Sequence, residues 1–187
     1  MIKEYFIEHI NVAKNCLLEN ETKIENISQN ILKSLINGNK ILLFGNGGSA
    51  SDAQHIAAEF TGRFLKERRA LAAIALTTDT SALTAIGNDY GYNRVFERQV
   101  EALAKEGDIL IGISTSGNSK NVVNALKLGK ELKCTCIGLS GRDGGKMNGI
   151  CDINCIVSSD ITSHIQEIHI IIGHLICKYV DRFIVDE

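Results

Sequence analysis

The sequence predicts an α/β fold: a five-stranded parallel sheet flanked by helices, doubly wound, with extra helices at the N-terminus. Three observations predict it. Five short apolar runs recur between residues 40 and 158, as expected of strands buried on both faces. Helical periodicity fills the intervals between them, which makes the connections parallel crossovers. Glycine and hydroxyl residues close two of the runs, at the strand ends where sheets of this kind bind ligands.

Residues 1–38 lack strand signals and read as two helices joined near Asn20, Glu21 and Thr22, with Thr22 capping the second. "KILLFG" (40–45) is the first strand, and a helix from about Ser51 to Arg63 follows it. "ALAAIAL" (70–76) is the second, followed by helical segments near 80–87 and 94–105. "DILIGIS" (108–114) is the third, and 119–132 is a helix whose apolar face carries Val122, Val123, Ala125 and Leu128. "CTCIGLS" (134–140) and "INCIVS" (153–158) complete the sheet, with "GRDGGKMNG" between them as a loop or short helix. A long helix, about 161–184, closes the chain. No linker, repeat or low-complexity stretch interrupts it, so residues 1–187 form one domain with 1–38 as a helical extension.

At 187 residues and 44% hydrophobic, the chain can bury a full core. A net charge of −2 argues against a nucleic-acid partner, which calls for a clustered basic excess. The densest basic patch, "KERR" from Lys66 to Arg69, reads as a solvated loop. No apolar run reaches membrane-spanning length, and the N-terminus has no cleavage-site pattern, so the cytoplasm is the expected location. The six cysteines lack the paired spacing of a zinc finger and read as buried, reduced thiols.

Two loops suit an anion. "ILLFGNGGSASDAQH" (41–55) runs from a strand through three glycines into a helix, offering backbone amides and a helix N-terminus. It fits the loose dinucleotide pattern G-x-G-x-x-G/A, and it also fits a plain tight turn. The third strand ends in Ser114, Thr115 and Ser116, with Ser119 opening the next helix. One helix needs one cap, so four hydroxyls in six positions favour an anion site over capping alone. A dinucleotide fold would also place an acid at the end of the second strand, and Asp79 lies too late for that role.

His55 and Glu59 are four apart and share a helix face. In "SHIQEIHIIIGHL", His169 and His174 diverge by roughly 140° at about 100° per residue, so they serve different surroundings. Gln166 and His174 stand about 12 Å apart along the axis. Spacing alone brings neither to Glu59. His55 and Glu59 also read as an ordinary surface pair, and His174 as a satisfied core histidine.

With "GNGGSASDAQHIAAEFTGR", "GNDYGYNRVFERQVEA", "GDILIGISTSGNS", "DGGKM" and "IQEIHIIIGHLI" in order, the whole chain resembles the sugar isomerase (SIS) domain family, within it the phosphoheptose isomerases. The resemblance implies an SIS-type sandwich that converts sedoheptulose 7-phosphate to D-glycero-D-manno-heptose 7-phosphate for the heptose of lipopolysaccharide core or related sugars. It implies Glu59 and His174 as the acid–base pair. It implies substrate contacts at Asn46, Gly47, Gly48, Glu59, Asn88, Asp89, Ser114, Thr115, Ser116, Ser119 and Gln166. Some members hold zinc through positions matching His55, Glu59, Gln166 and His174, and no nucleotide cofactor is implied. The family forms tetramers with sites between subunits, so Glu59 and His174 are expected to come from different chains. Ser163 and His164 depart from the acidic or alanine residue and arginine that many relatives carry there. Isomerisation of another sugar phosphate, or silent binding as a regulator, are the alternatives; retention of Glu59 and His174 weighs against the silent one.

Overall fold

The computed structural model describes residues 1–184; the end of the expected domain, 185–187, lies outside the described residues. Five parallel strands, β1 (Ile41–Gly45), β2 (Ala73–Ala75), β3 (Ile109–Ser114), β4 (Thr135–Gly141) and β5 (Ile153–Val157), lie in the order β2-β1-β3-β4-β5. Six α-helices accompany them among the described residues: α1 (Ile2–Ile36), α2 (Gly48–Thr61), α3 (Thr80–Tyr90), α4 (Glu97–Leu103), α5 (Lys120–Glu131) and α6 (Thr162–Phe183). Residues Gly145–Gly149 form a 3-10 turn where a loop or short helix was expected.

Successive side chains leave a strand on opposite faces, and this divides the core in two. Ile41, Leu43, Ile109, Ile111, Ile113, Ile137 and Leu139 pack with α1, α2 and α6. Leu42, Phe44, Leu110 and Cys136 pack with α4 and α5 on the other face. Burial on both sides is why the strands read as unbroken apolar runs. The second strand is shorter than expected: β2 is an edge strand paired only with β1, and its Ile74 is exposed.

The two expected N-terminal helices are one. Helix α1 runs 35 residues without a break, about 52 Å at 1.5 Å per residue. Asn20, read as a junction residue, is buried in mid-helix. Its amide donates to the carbonyl of Ile156 in β5 (2.9 Å) and to that of Cys16 (3.3 Å). A tertiary partner thus satisfies the side chain that would otherwise compete with the helix, and Thr22 caps nothing. The helix ends where Gly38 adopts φ 75°.

The "KERR" reading also needs correction, because Arg68 is buried. Its Nε donates to Asp181 Oδ1 at 2.7 Å, and its other nitrogens donate to the carbonyls of Glu59, Phe60, Gly62 and Arg69. Asp181 Oδ2 accepts from the amides of Leu65 (2.7 Å) and Lys66 (3.0 Å). Burial would raise the Asp181 pKa, but these amides and the guanidinium hold it below the usual carboxylate range. The six cysteines are free thiols; five are buried as expected, and Cys151 is only partly so.

His169 is fully enclosed, with Nε2 3.0 Å from the Ser140 carbonyl, and burial lowers its pKa to about 4 against the opposing pull of that carbonyl. A histidine in the unfolded chain titrates near about 6.5, so the unfolded state binds the extra proton first as pH falls. His169 should therefore cost stability progressively between pH ~6.5 and ~4, by an amount on the order of 3 kcal/mol. Melting curves of His169→Gln should show a shallower fall across that window than the parent. An equal slope would remove His169 from the acid response.

Candidate active site

The chain leaves β1 for β2 on one side and returns to β3 on the other, so the order reverses between β1 and β3. Sheets with this order bind ligands beyond the carboxyl ends of the strands at that point. Gly45 pairs in register with Ile113, which sets the two loops named in the sequence side by side.

In the first loop Gly47 adopts φ 57°, a conformation open to glycine and costly for a side chain. Helix α2 begins there with no side-chain cap, leaving its N-terminal end to an anion. The Asn46 carboxamide exchanges two hydrogen bonds with Asn121 (3.0 and 2.8 Å) and accepts one from the Tyr92 hydroxyl (3.2 Å). In the second loop Ser119 stands at the N-cap of α5 without capping it. Its hydroxyl instead lies 2.9 Å from Ser114 Oγ, which is 3.4 Å from Ser116 Oγ. Ser116 Oγ also accepts the Asn118 amide (3.2 Å) and Ser114 Oγ the Ser119 amide (3.5 Å), so the three hydroxyls close the turn and gather at one place. By contrast Asp79 caps α3 through the Ala82 amide (2.9 Å), so it is occupied, and a ribose-binding role for it falls away.

His55, Glu59 and His174 come together within a single chain. His55 Nε2 lies 3.1 Å from Glu59 Oε1 and 3.2 Å from His174 Nε2, and the ligand atoms of all three fall within 4.8 Å of one another. The expectation that Glu59 and His174 must come from different chains is therefore corrected. Gly173 is the physical reason. A Cβ there would lie 2.5 Å from Ile56 Cδ1, so glycine lets α6 close onto α2 and sets His174 beside His55. Phe64 stacks on the His174 ring at 5.5 Å and fixes its plane. His174 is half-buried at the surface of this pair, not a core histidine.

Residues 4–141 match the SIS domain family. The chain is 62% identical to the phosphoheptose isomerase of Aliarcobacter butzleri, over 97% of this chain and 96% of that one. The chain belongs to the SIS domain family, among its phosphoheptose isomerases. It is 60% identical to phosphoheptose isomerase 1 of Campylobacter jejuni over 86% of each chain. The solved phosphoheptose isomerase GmhA of Neisseria gonorrhoeae superposes with a TM-score of 0.92 at 46% identity, covering 97% of both chains.

Of the residues that phosphoheptose isomerases lead one to expect, Gln166 reaches across to α2 at Asp52. Its Nε2 donates to Asp52 Oδ1 at 2.6 Å, and its Cγ would lie 3.3 Å from a Cβ on Gly48. It thus lines the first loop, one helical turn from His55. Asn88 and Asp89 are exposed at the end of α3 and bond each other at 2.8 Å; among the described residues no hydrogen bond ties them to either loop. Thr115 follows β3, with its carbonyl against Gly141.

Sequence reasoning missed Asp52, Asn121, Tyr92 and Phe64. Asp52 is buried with Oδ2 unpaired, and burial raises its pKa to about 6, against the Gln166 hydrogen bond and His55. Its spacing of three and seven residues from His55 and Glu59 puts it on their face, a signal the sequence did carry.

A cavity of about 620 Å³ lies beyond β3 and β4, lined by Ser116, Asn118, Arg142, Asp143 and Ser158 to Asp160. It includes one serine of the second loop and none of the His55, Glu59 and His174 group.

Proposed function

We propose that this protein is an aldose–ketose isomerase converting sedoheptulose 7-phosphate to D-glycero-D-manno-heptose 7-phosphate, a precursor of surface heptose such as that of lipopolysaccharide core. The observation that carries the reading is the convergence of Glu59, His55 and His174 on the helix that leaves the glycine loop. The phosphate belongs with Ser114, Thr115, Ser116 and Ser119, and the amides of Gly47 and Gly48, with Asn46 and Gln166 along the sugar. Asn88 and Asp89 complete the contacts by family resemblance.

The reaction moves one proton between neighbouring carbons and shifts a carbonyl. A carboxylate at Glu59 removes the proton from C1 of the ketose, giving an enediol. His174 moves the proton between O1 and O2, and return of a proton to C2 gives the aldose. The phosphate sits on C7, at the far end of the substrate, so its binding energy can orient the reacting end.

Zinc fits part of the expected set. Ligands at about 2.0–2.2 Å in a tetrahedral site stand roughly 3.3 Å apart, and the 3.1 and 3.2 Å separations around His55 Nε2 agree with that. Gln166 donates through Nε2 to Asp52, which leaves Oε1, the atom an amide offers a metal, to complete the set. When bound, zinc supplies Lewis acidity toward the substrate oxygens.

No described helix is long and apolar enough to cross a membrane. We take the enzyme as cytoplasmic and as a homo-oligomer, a tetramer by family resemblance, with its sites close to subunit boundaries. Exposed Ile2, Phe6, Ile10 and Leu18 on α1 support association. A monomeric mass by light scattering would remove that part of the reading.

Purified protein should form the aldose from sedoheptulose 7-phosphate, read by NMR. Ser116→Ala should lower kcat/KM by roughly tenfold to a hundredfold, since a hydrogen bond to a charged group contributes ~1.5–3 kcal/mol. Unchanged kinetics would return the second loop to a structural role.

A further inference from the structure

Two turns before His174, the opening of α6 meets the opening of α1, and six side chains gather that the isomerase reaction does not use. His9 Nδ1 lies 2.7 Å from Glu167 Oε2, and His164 Nδ1 lies 3.3 Å from the same oxygen. The Tyr5 hydroxyl donates to Glu167 Oε1 at 2.6 Å and stands 3.0 Å from Ser163 Oγ. His164 is wholly buried, and its Nε2 has no hydrogen-bond partner; the nearest acidic oxygen is Glu8 Oε2 at 3.6 Å.

These contacts conflict in a neutral, empty cluster. If His164 Nδ1–H donates to Glu167, then Nε2 is a bare lone pair, buried and facing the Glu8 carboxylate. A cation bound at Nδ1 reverses the arrangement, because the proton then sits on Nε2 and points at Glu8. That is the carboxylate–histidine–metal pattern in which an outer acid fixes the ligand's tautomer. Tyr5 holds one oxygen of Glu167, leaving the other between the two imidazoles. The ligand atoms of His9, His164 and Glu167 fall within 4.8 Å of one another, a span that brackets the roughly 3.3 Å edge of a tetrahedral site.

We propose that His9, His164 and Glu167 form a second divalent transition-metal site, separate from His55, Glu59 and His174, whose ion ties α1 to α6. Two imidazoles and one carboxylate suit zinc, cobalt or nickel; magnesium and calcium call for oxygen ligands. Access is through His9 and Glu167, whose side chains are 25% and 34% exposed.

The test separates this site from the first by removing the first. Full-length protein carrying His55→Ala and His174→Ala is stripped with chelator and titrated with cobalt(II), followed by visible absorption and calorimetry. One equivalent should bind and raise Tm. Adding His9→Ala, a partly exposed position where loss of fold is readily checked by circular dichroism, should weaken binding by more than about 100-fold and abolish the Tm shift. Glu167→Gln should do the same. If the folded double variant binds no cobalt while the parent binds one equivalent, the cluster is an imidazolium–carboxylate network and the proposal is overturned. One equivalent that survives His9→Ala and Glu167→Gln unchanged overturns it as well.

Discussion

Replacing Glu59 by Gln, or His174 by Gln, should each lower kcat by about 10²–10⁴-fold, the usual worth of a positioned general acid or base. Both changes keep the side chain's approximate size. Both residues are partly exposed, so the fold should be unaffected and the substrate should still bind. The structure adds a result that sequence separation would not have led one to expect. Because α2 and α6 of one chain bring Glu59, His55 and His174 together, a subunit lacking either residue is incomplete whatever its neighbours carry. Mixing the two inactive proteins, with subunit exchange confirmed by mass spectrometry, should therefore leave activity at the level of the single variants. Recovery toward a quarter or more of the parent activity would mean that the residues pair across chains.

Breaking the Arg68–Asp181 pair should have the largest effect on stability. Both side chains are almost fully enclosed, with Arg68 at 0% and Asp181 at 4% exposure. Removing one partner of such a pair leaves a buried charge uncompensated, typically at a cost of about 3–5 kcal/mol. That is a large fraction of the roughly 5–15 kcal/mol that holds a domain together. Asp181→Ala should lower the urea midpoint accordingly. It should also lower kcat, because Arg68 Nη2 holds the Glu59 carbonyl at 2.8 Å and so anchors the end of α2 that carries the proposed base. Double replacement by apolar residues should recover part of the stability, since the guanidinium would no longer be stranded. A loss under about 1 kcal/mol for Asp181→Ala would place the pair with ordinary surface salt bridges.

These two predictions mark where the sequence was legible and where it was not. The sheet was legible, because burial on both faces writes itself as unbroken apolar runs such as "KILLFG" and "DILIGIS". The two loops were legible too, since Gly47 needs its conformational freedom and hydroxyls crowd the end of β3. What could not be read were side chains whose partners are far along the chain. Asn20 looks like a helix breaker until Ile156, in β5, is seen to accept its amide. Arg68 looks like part of a solvated basic loop until Asp181 is found against it. Glu59 and His174 looked unconnected because the device that joins them is an absence: the missing Cβ of Gly173, which lets Ile56 nest against α6. Gln166 is a further case: its distance along α6 from His174 was calculable, but its hydrogen bond to Asp52 was not.

In the proposed reaction one chain's Glu59 and His174 move a proton between the first two carbons of a heptose phosphate. Turnover of sedoheptulose 7-phosphate in D₂O, followed by NMR, tests it most directly. A proton taken up by a partly exposed carboxylate exchanges with solvent, so the aldose should appear with deuterium at C2, and Glu59→Gln should suppress conversion and labelling together. Aldose formed without deuterium at C2, or labelling that survives Glu59→Gln undiminished, would rule out proton transfer through Glu59.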